Sequence, residues 1–198
     1  MKVSRAHRAL EVAAIIASAV LCVATILRLG HLGSMLVVLV VALVGYATAD
    51  LATGLMHWCG DNVGDESWPV VGRHFIRPFR EHHVDPMDIT KHGVLEVNGN
   101  NAIVAVPLLV IVSWLAPRAP HFALGALVML VAVIATNQLH AWAHATNPPR
   151  IVRALQGVRL ILHPAEHARH HATHDRAYCV TNGWLNRLVD RMPKMGSQ

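Results

Sequence analysis

The chain has 198 residues, 54% of them hydrophobic and only 15% charged, with a mean hydropathy of +0.39, which excludes an ordinary soluble domain. A net charge of +5 and a pI near 9.6 would suit nucleic acid, but there is no helix-turn-helix, zinc finger or aromatic-basic platform, so the charge is placed at a lipid headgroup surface. Cys22, Cys59 and Cys179 are odd in number and form no C-x-x-C pair, which argues against a disulfide framework or a thiolate zinc site.

In chain order, Lys2, Arg5 and Arg8 precede an apolar run at about 10–27. It is long for a signal-peptide core and no small-x-small cleavage site follows, so it reads as a retained membrane helix. Further apolar runs lie at about 32–57, 102–116 and 122–144. The third is short, carries Pro107 and has a polar start at Asn98, Asn100 and Asn101, so it is expected to tilt or to dip that start toward a polar site. Pro117-Arg118-Ala119-Pro120 turns the last two runs into an antiparallel hairpin. Polar stretches 58–101 and 145–198 form a cap. The expectation is one all-α integral membrane domain over 1–198, with four transmembrane helices and a histidine-rich helical cap. Fifteen of the 17 Lys and Arg fall on the side of the termini and cap, leaving only Arg28 and Arg118 opposite. The positive-inside rule therefore puts both termini and the cap in the cytoplasm.

Thirteen of the 15 histidines, all but His31 and His121, sit on that same side, and ten of them fall in four groups: His57; His82-His83 with His92; His140 with His144; and His167, His170, His171 and His174. His140 and His144 are four apart and share a helix face, and the last group follows i, i+3, i+4, i+7 to form one stripe. His57 ends the second apolar run, with Asp50 seven residues before it and Asp61 four after. An acid within a membrane helix is costly, so Asp50 is expected to bond a histidine or Asn137. His7, His31, His74 and His121 read as headgroup contacts.

A structural zinc takes four ligands and a catalytic zinc three with a water, so ten histidines suit a two-metal site instead. One rival pattern is His163-Pro164-Ala165-Glu166-His167, the H-x-x-E-H of inverted zinc peptidases. Pro164 fits helix position N1, which places His163 at the N-cap and off the helix face.

The stretches Gly54-Leu55-Met56-His57-Trp58 with Asp61, Phe75-Ile76-Arg77-Pro78-Phe79-Arg80-Glu81-His82-His83-Val84-Asp85-Pro86 continuing to His92, Glu96, Asn98 and Gly99, Asn137-Gln138-Leu139-His140 with His144, His167-Ala168-Arg169-His170-His171, and Tyr178-Cys179 leading to Thr181 and Gly183-Trp184-Leu185-Asn186 resemble the Kua/CarF-type lipid desaturases. The resemblance runs from Ala49 to Asn186 and departs near His163 and Glu166.

The resemblance implies oxidative removal of two hydrogens beside the ether oxygen of a 1-O-alkyl phospholipid (a plasmanylethanolamine), giving the vinyl ether of a plasmalogen. It implies two Fe ions held by His57, Asp61, His82, His83, His92, His140, His144, His167, His170, His171 and His174, with Asp61, His140, His144, His170 and His171 indispensable to turnover. Molecular oxygen is consumed. Since no haem, flavin or iron–sulfur motif is present, the electrons come from a separate electron-transfer protein. Arg73, Arg77 and Arg80 are expected to meet the phosphate headgroup. The implied location is a multi-pass protein of a bacterial inner membrane. Two other functions stay open: an acyl-chain desaturase acting on phosphatidylglycerol, and a non-enzymatic metal- or stress-sensing membrane protein.

Overall fold

A computed structural model describes residues 4–193; Lys2 of the basic N-terminal tail lies outside them. Among the described residues the chain is helical and without strands. Four helices are long and apolar enough to cross a membrane: α1 (Arg5–Arg28), α2 (Met35–Asn62), α4 (Val94–Leu115) and α5 (Pro120–His144). Short helices α3 (Arg77–Val84), α6 (Arg150–Gly157), α7 (Pro164–Thr173) and α8 (Asn186–Val189) fill the polar stretches. A π-turn (Gly72–Ile76) leads into α3 and a 3-10 turn (Asp88–Lys91) follows it.

The helices outrun the apolar runs of the sequence. α1 starts at Arg5 because Ser4 caps it, its hydroxyl accepting from His7 N at 3.1 Å. α2 continues past His57 to Asn62, and α4 begins at Val94, so both ends of the segment expected as cap are helical extensions.

The chain divides into two compact units. The first holds the described residues up to Ala49 together with Gly93–Gln138. Here α1 packs along α4, and Leu109, Val112, Leu127 and Leu130 form the buried interior. The polar start of α4 is satisfied within this unit. Arg8 bridges Glu11 at 3.1 Å and Glu96 at 2.9 Å, and His7, expected among headgroups, meets Asn100 at 3.0 Å. Asn98 accepts from Gln138 N, while Asn101 and Asn137 donate to the carbonyls of Val133 and Val97. A Cβ on Gly45 would overlap the Gly125 backbone, so this glycine permits close helix approach. Leu27, Met35, Leu36 and Val104 are each at least 67% exposed, as side chains facing hydrocarbon should be.

The second unit holds Asp50–His92 and the described chain from Leu139 onward. Trp58, Tyr178, Cys179 and Val189 make its main apolar cluster. Gly54 lets Cys179 lie directly against α2, where any Cβ would strike the thiol and Val189. The segment after α7 is pinned by side chains: Asn186 Oδ1 accepts from Cys179 N, and Asp190 Oδ1 from Ala177 N, both at 2.8 Å. Every clustered histidine belongs to this unit.

Candidate metal centre

Nine of the ten histidines expected around metal come together with Asp61 in three overlapping groups able to hold an ion: His82, His140, His144, His167 and His171; His57, Asp61, His83 and His170; and His83, His171 and His174. In each, the ligand atoms lie within 4.8 Å of one another. His83 joins the second and third groups, and His171 the first and third.

The Asp61 group shows how the chain aims its ligands. His57 Nδ1 donates to the Tyr178 carbonyl at 3.0 Å and His170 Nδ1 to the Arg176 carbonyl at 2.8 Å. With the proton fixed on Nδ1, each Nε2 is left as a lone pair, the usual arrangement of a metal-binding imidazole. Both rings are at most 1% exposed. Each Nε2 approaches Asp61 Oδ2, at 3.5 Å from His57 and 3.4 Å from His170. None of these three atoms has a hydrogen-bond partner. Three buried acceptors facing one another repel unless a cation lies among them, so the donor set fits a metal ion. Asp61 Oδ1 meets His83 Nε2 at 3.0 Å. Phe79 packs its ring 5.3 Å from His57, and a Cβ on Gly60 would collide with that phenyl.

In the five-histidine group the Nε2 atoms meet each other. His167 Nε2 lies 2.6 Å from that of His140, 2.7 Å from His144 and 2.9 Å from His171. One ring nitrogen carries either one proton or one lone pair, so it cannot satisfy three such contacts as hydrogen bonds. Converging lone pairs again fit a cation. Burial first, then the neighbouring imidazoles, hold His82 and His167 far below the ordinary histidine range, and the same causes bring His171 down to about 3. These side chains therefore stay neutral and ligand-ready at pH 7.

Three expectations need correcting. His92 joins none of the groups: it lies on the surface, 38% exposed, with Nε2 3.1 Å from Asp88. The 3-10 turn between α3 and α4 supplies the carboxylate of Asp88 four residues before it. His174 falls off the helical stripe, because α7 ends at Thr173 and His174 is its left-handed C-cap at φ 56°. It still reaches His83, ring to ring at 4.3 Å. Asp50 bonds neither a histidine nor Asn137. Its carboxylate, fully buried, accepts from the main-chain N–H of Asn182, Gly183 and Leu185 at 2.9–3.0 Å, so it anchors the C-terminal segment.

His163 is the N-cap of α7, its ring accepting from Ala165 N at 3.2 Å, with Pro164 at the helix start. Glu166 pairs with Arg159 and Arg169. The peptidase pattern is thus a capping motif. Of the three arginines expected at a headgroup, Arg77 bonds Glu81 at 2.6 Å and Arg80 bonds the Gly64 carbonyl at 2.9 Å, while Arg73 lines a cavity with Arg77. The sequence reading missed the orienting carbonyls of Tyr178 and Arg176, and the Tyr178 ring 5.1 Å from His170. Main-chain acceptors leave no residue signature, though Tyr178 was visible as part of the family resemblance.

A family profile described as a lipid desaturase domain matches residues 46–194. The chain belongs to the lipid desaturase family. It is 43% identical over 193 residues to a plasmanylethanolamine desaturase of Myxococcus xanthus, covering 93% of this chain and 68% of that one. It is 39% identical over 152 residues to plasmanylethanolamine desaturase 1 of Mus musculus, covering 72% of this chain and 56% of that one. A further relative is the chloroplastic fatty acid desaturase 4 of Arabidopsis thaliana, 37% identical over 150 residues, with 74% and 46% covered. No solved structure matches. The family implies an oxidoreductase acting on lipid, which the apolar helices and the histidine groups suit.

Proposed function

We propose that this lipid desaturase forms the vinyl ether bond of a plasmalogen from a 1-O-alkyl phospholipid, at two iron ions. The observation that carries the metal half is the convergence of unpartnered His57 Nε2, His170 Nε2 and Asp61 Oδ2 beside a second, all-imidazole group. The identity to two plasmanylethanolamine desaturases carries the substrate half. One ion is assigned to His57, Asp61, His83 and His170, the other to His82, His140, His144, His167 and His171, with His174 at the shared edge. Nearly all-imidazole ligation with one carboxylate suits a redox-active transition metal better than calcium or magnesium. Bound iron supplies the oxidising power that, with O2, an unactivated C–H bond demands.

The chain's residues do the rest. The Tyr178 and Arg176 carbonyls hold two imidazoles in one tautomer, and Asp61 places negative charge between them. Phe79 and Tyr178 flank His57 and His170 and keep water from those rings. In the balance, the first two carbons of the alkyl chain beyond the ether oxygen lose one hydrogen each. O2 takes two electrons from the lipid and two from a separate electron-transfer protein, picks up two solvent protons besides, and leaves as two waters. The whole chain acts as one desaturase domain in the membrane, with both termini and the histidine groups on the cytoplasmic side of a bacterial inner membrane. The charge asymmetry supports that orientation.

The test is lipid analysis of a strain lacking the protein, with and without the gene restored, alongside iron analysis of the purified chain. Loss of vinyl-ether lipids and near two irons per chain are expected. Vinyl ethers unchanged with an acyl double bond missing would favour the acyl-chain reaction that the plant relative's name suggests. No lipid change at all would sink the enzyme reading in favour of a metal sensor.

A further inference from the structure

The loop between α2 and α3 holds a cavity of ≈ 440 Å³ lined by Glu66, Trp68, Val70, Arg73, His74 and Arg77, among others. That volume falls in the range of about 300–1,000 Å³ typical of small-ligand sites. Its walls carry both signs of charge. Arg73 makes no hydrogen bond or ion pair among the described residues, and the Arg77–Glu81 pair is more than half exposed on both sides, so it exchanges partners at little cost. Glu66 makes a long, 4.0 Å approach to Arg80 and lies within electrostatic reach of Arg77.

The backbone is bent to make this pocket. Val70 sits at φ 64°, a conformation a β-branched residue adopts only under constraint, and the π-turn begins two residues later. Gly72 is required there, since a Cβ would run into the main chain of Asp65 and Glu66. The result presents Trp68, Val70 and Val71 outward, 50%, 73% and 49% exposed. A tryptophan and two aliphatics followed by arginines is the make-up of a segment seated at the headgroup level of a bilayer.

We propose that this pocket binds the headgroup of the substrate, and that it selects a zwitterionic phosphoethanolamine. Arg73 and Arg77 take the phosphate, and Glu66 takes the ammonium, with the Trp68 face beside it. This rests on the desaturase reading above. Phosphatidylglycerol offers the same phosphate but no cation for Glu66, so Glu66 is the discriminating residue and Arg73 the common anchor.

The test pairs 1-O-alkyl phosphatidylethanolamine with 1-O-alkyl phosphatidylglycerol in nanodiscs, using the iron-loaded full chain and its Glu66→Gln and Arg73→Gln variants. Both side chains are exposed, so folding is not at stake. Turnover of each lipid is read together with its binding by native mass spectrometry. For Glu66→Gln the preference for the ethanolamine lipid should fall about tenfold, the value of one lost charge pair of moderate strength, through KM rather than kcat. For Arg73→Gln both lipids should weaken by a similar factor. A Glu66→Gln variant that keeps the wild-type preference overturns the pocket, as does an Arg73→Gln variant that binds both lipids normally. Wild-type protein that binds the ether lipids with this selectivity but converts neither would sink the desaturase reading while upholding the pocket.

Discussion

The two main groups able to hold a metal ion are aimed in different ways. In the Asp61 group the protein fixes two of the three imidazoles: main-chain carbonyls hold Nδ1 of His57 and His170, whose lone pairs point at one carboxylate oxygen, while His83 is tied only through Nε2 to Asp61 Oδ1. In the five-histidine group, Nδ1 of His167 and of His171 has no partner, and the Nε2 atoms crowd one another at 2.6–3.2 Å. The first group is preorganised by the fold; the second waits for a cation to settle its ring orientations. Preorganisation of this kind raises affinity because less ordering remains to be done on binding.

The largest effects should come from breaking each group in turn. His170→Ala removes a ligand from the preorganised group and His167→Ala the most crowded nitrogen of the other. Each should abolish turnover and leave close to one iron per chain by elemental analysis. Asp61→Asn is the finer probe, since an amide is a weak ligand and carries no charge to balance the ion. Turnover should fall about 10–100-fold, the usual cost of losing such a partner. If Asp61→Asn retains two irons and full turnover, the two groups do not differ as described.

A smaller effect, of a different kind, is expected at Asp50. Its carboxylate holds three backbone N–H groups of residues 182–185 against α2. Replacing it with Asn keeps one acceptor oxygen and turns an NH2 toward donors, a loss of about 1–3 kcal/mol. The variant should melt earlier and be clipped by protease in the C-terminal segment, yet retain its iron. Iron loss with an unchanged melting temperature would assign Asp50 to the metal site instead.

The membrane helices were legible because apolar runs of about 20 residues have few alternatives. The spacings of His140 with His144 and of His167, His170 and His171 showed in the same way, since i, i+3 and i+4 positions share a helix face. The start of α4 was not legible. Glu96, Asn98, Asn100 and Asn101 look like a loop in isolation, and become helix because Arg8, Gln138 and the carbonyl of Val133 satisfy them. Such partners lie about 30 to 90 residues away, where no local pattern reaches. The same holds for Asp50, whose partners are backbone groups more than 130 residues on.

The smallest effects separate the histidines that flank these groups from those in them. His92 and His163 both occur in histidine-rich stretches and both match metal-ligand spacings, yet each has a local role. His92 pairs with Asp88 on the surface, where such ion pairs contribute about 0–1 kcal/mol. His163 caps α7, and loss of a cap costs about 0.5–2 kcal/mol. His92→Ala should therefore keep its iron, its melting temperature and most of its turnover. His163→Ala should melt slightly earlier, because the α7 start frays while Pro164 still fixes the first helical turn. Its iron content should stay at the wild-type value, since the ligands His167, His170 and His171 lie one turn or more beyond the cap. Loss of iron from His92→Ala would return that residue to the ligand set and require a rearrangement of the 3-10 turn at Asp88–Lys91 to bring it there.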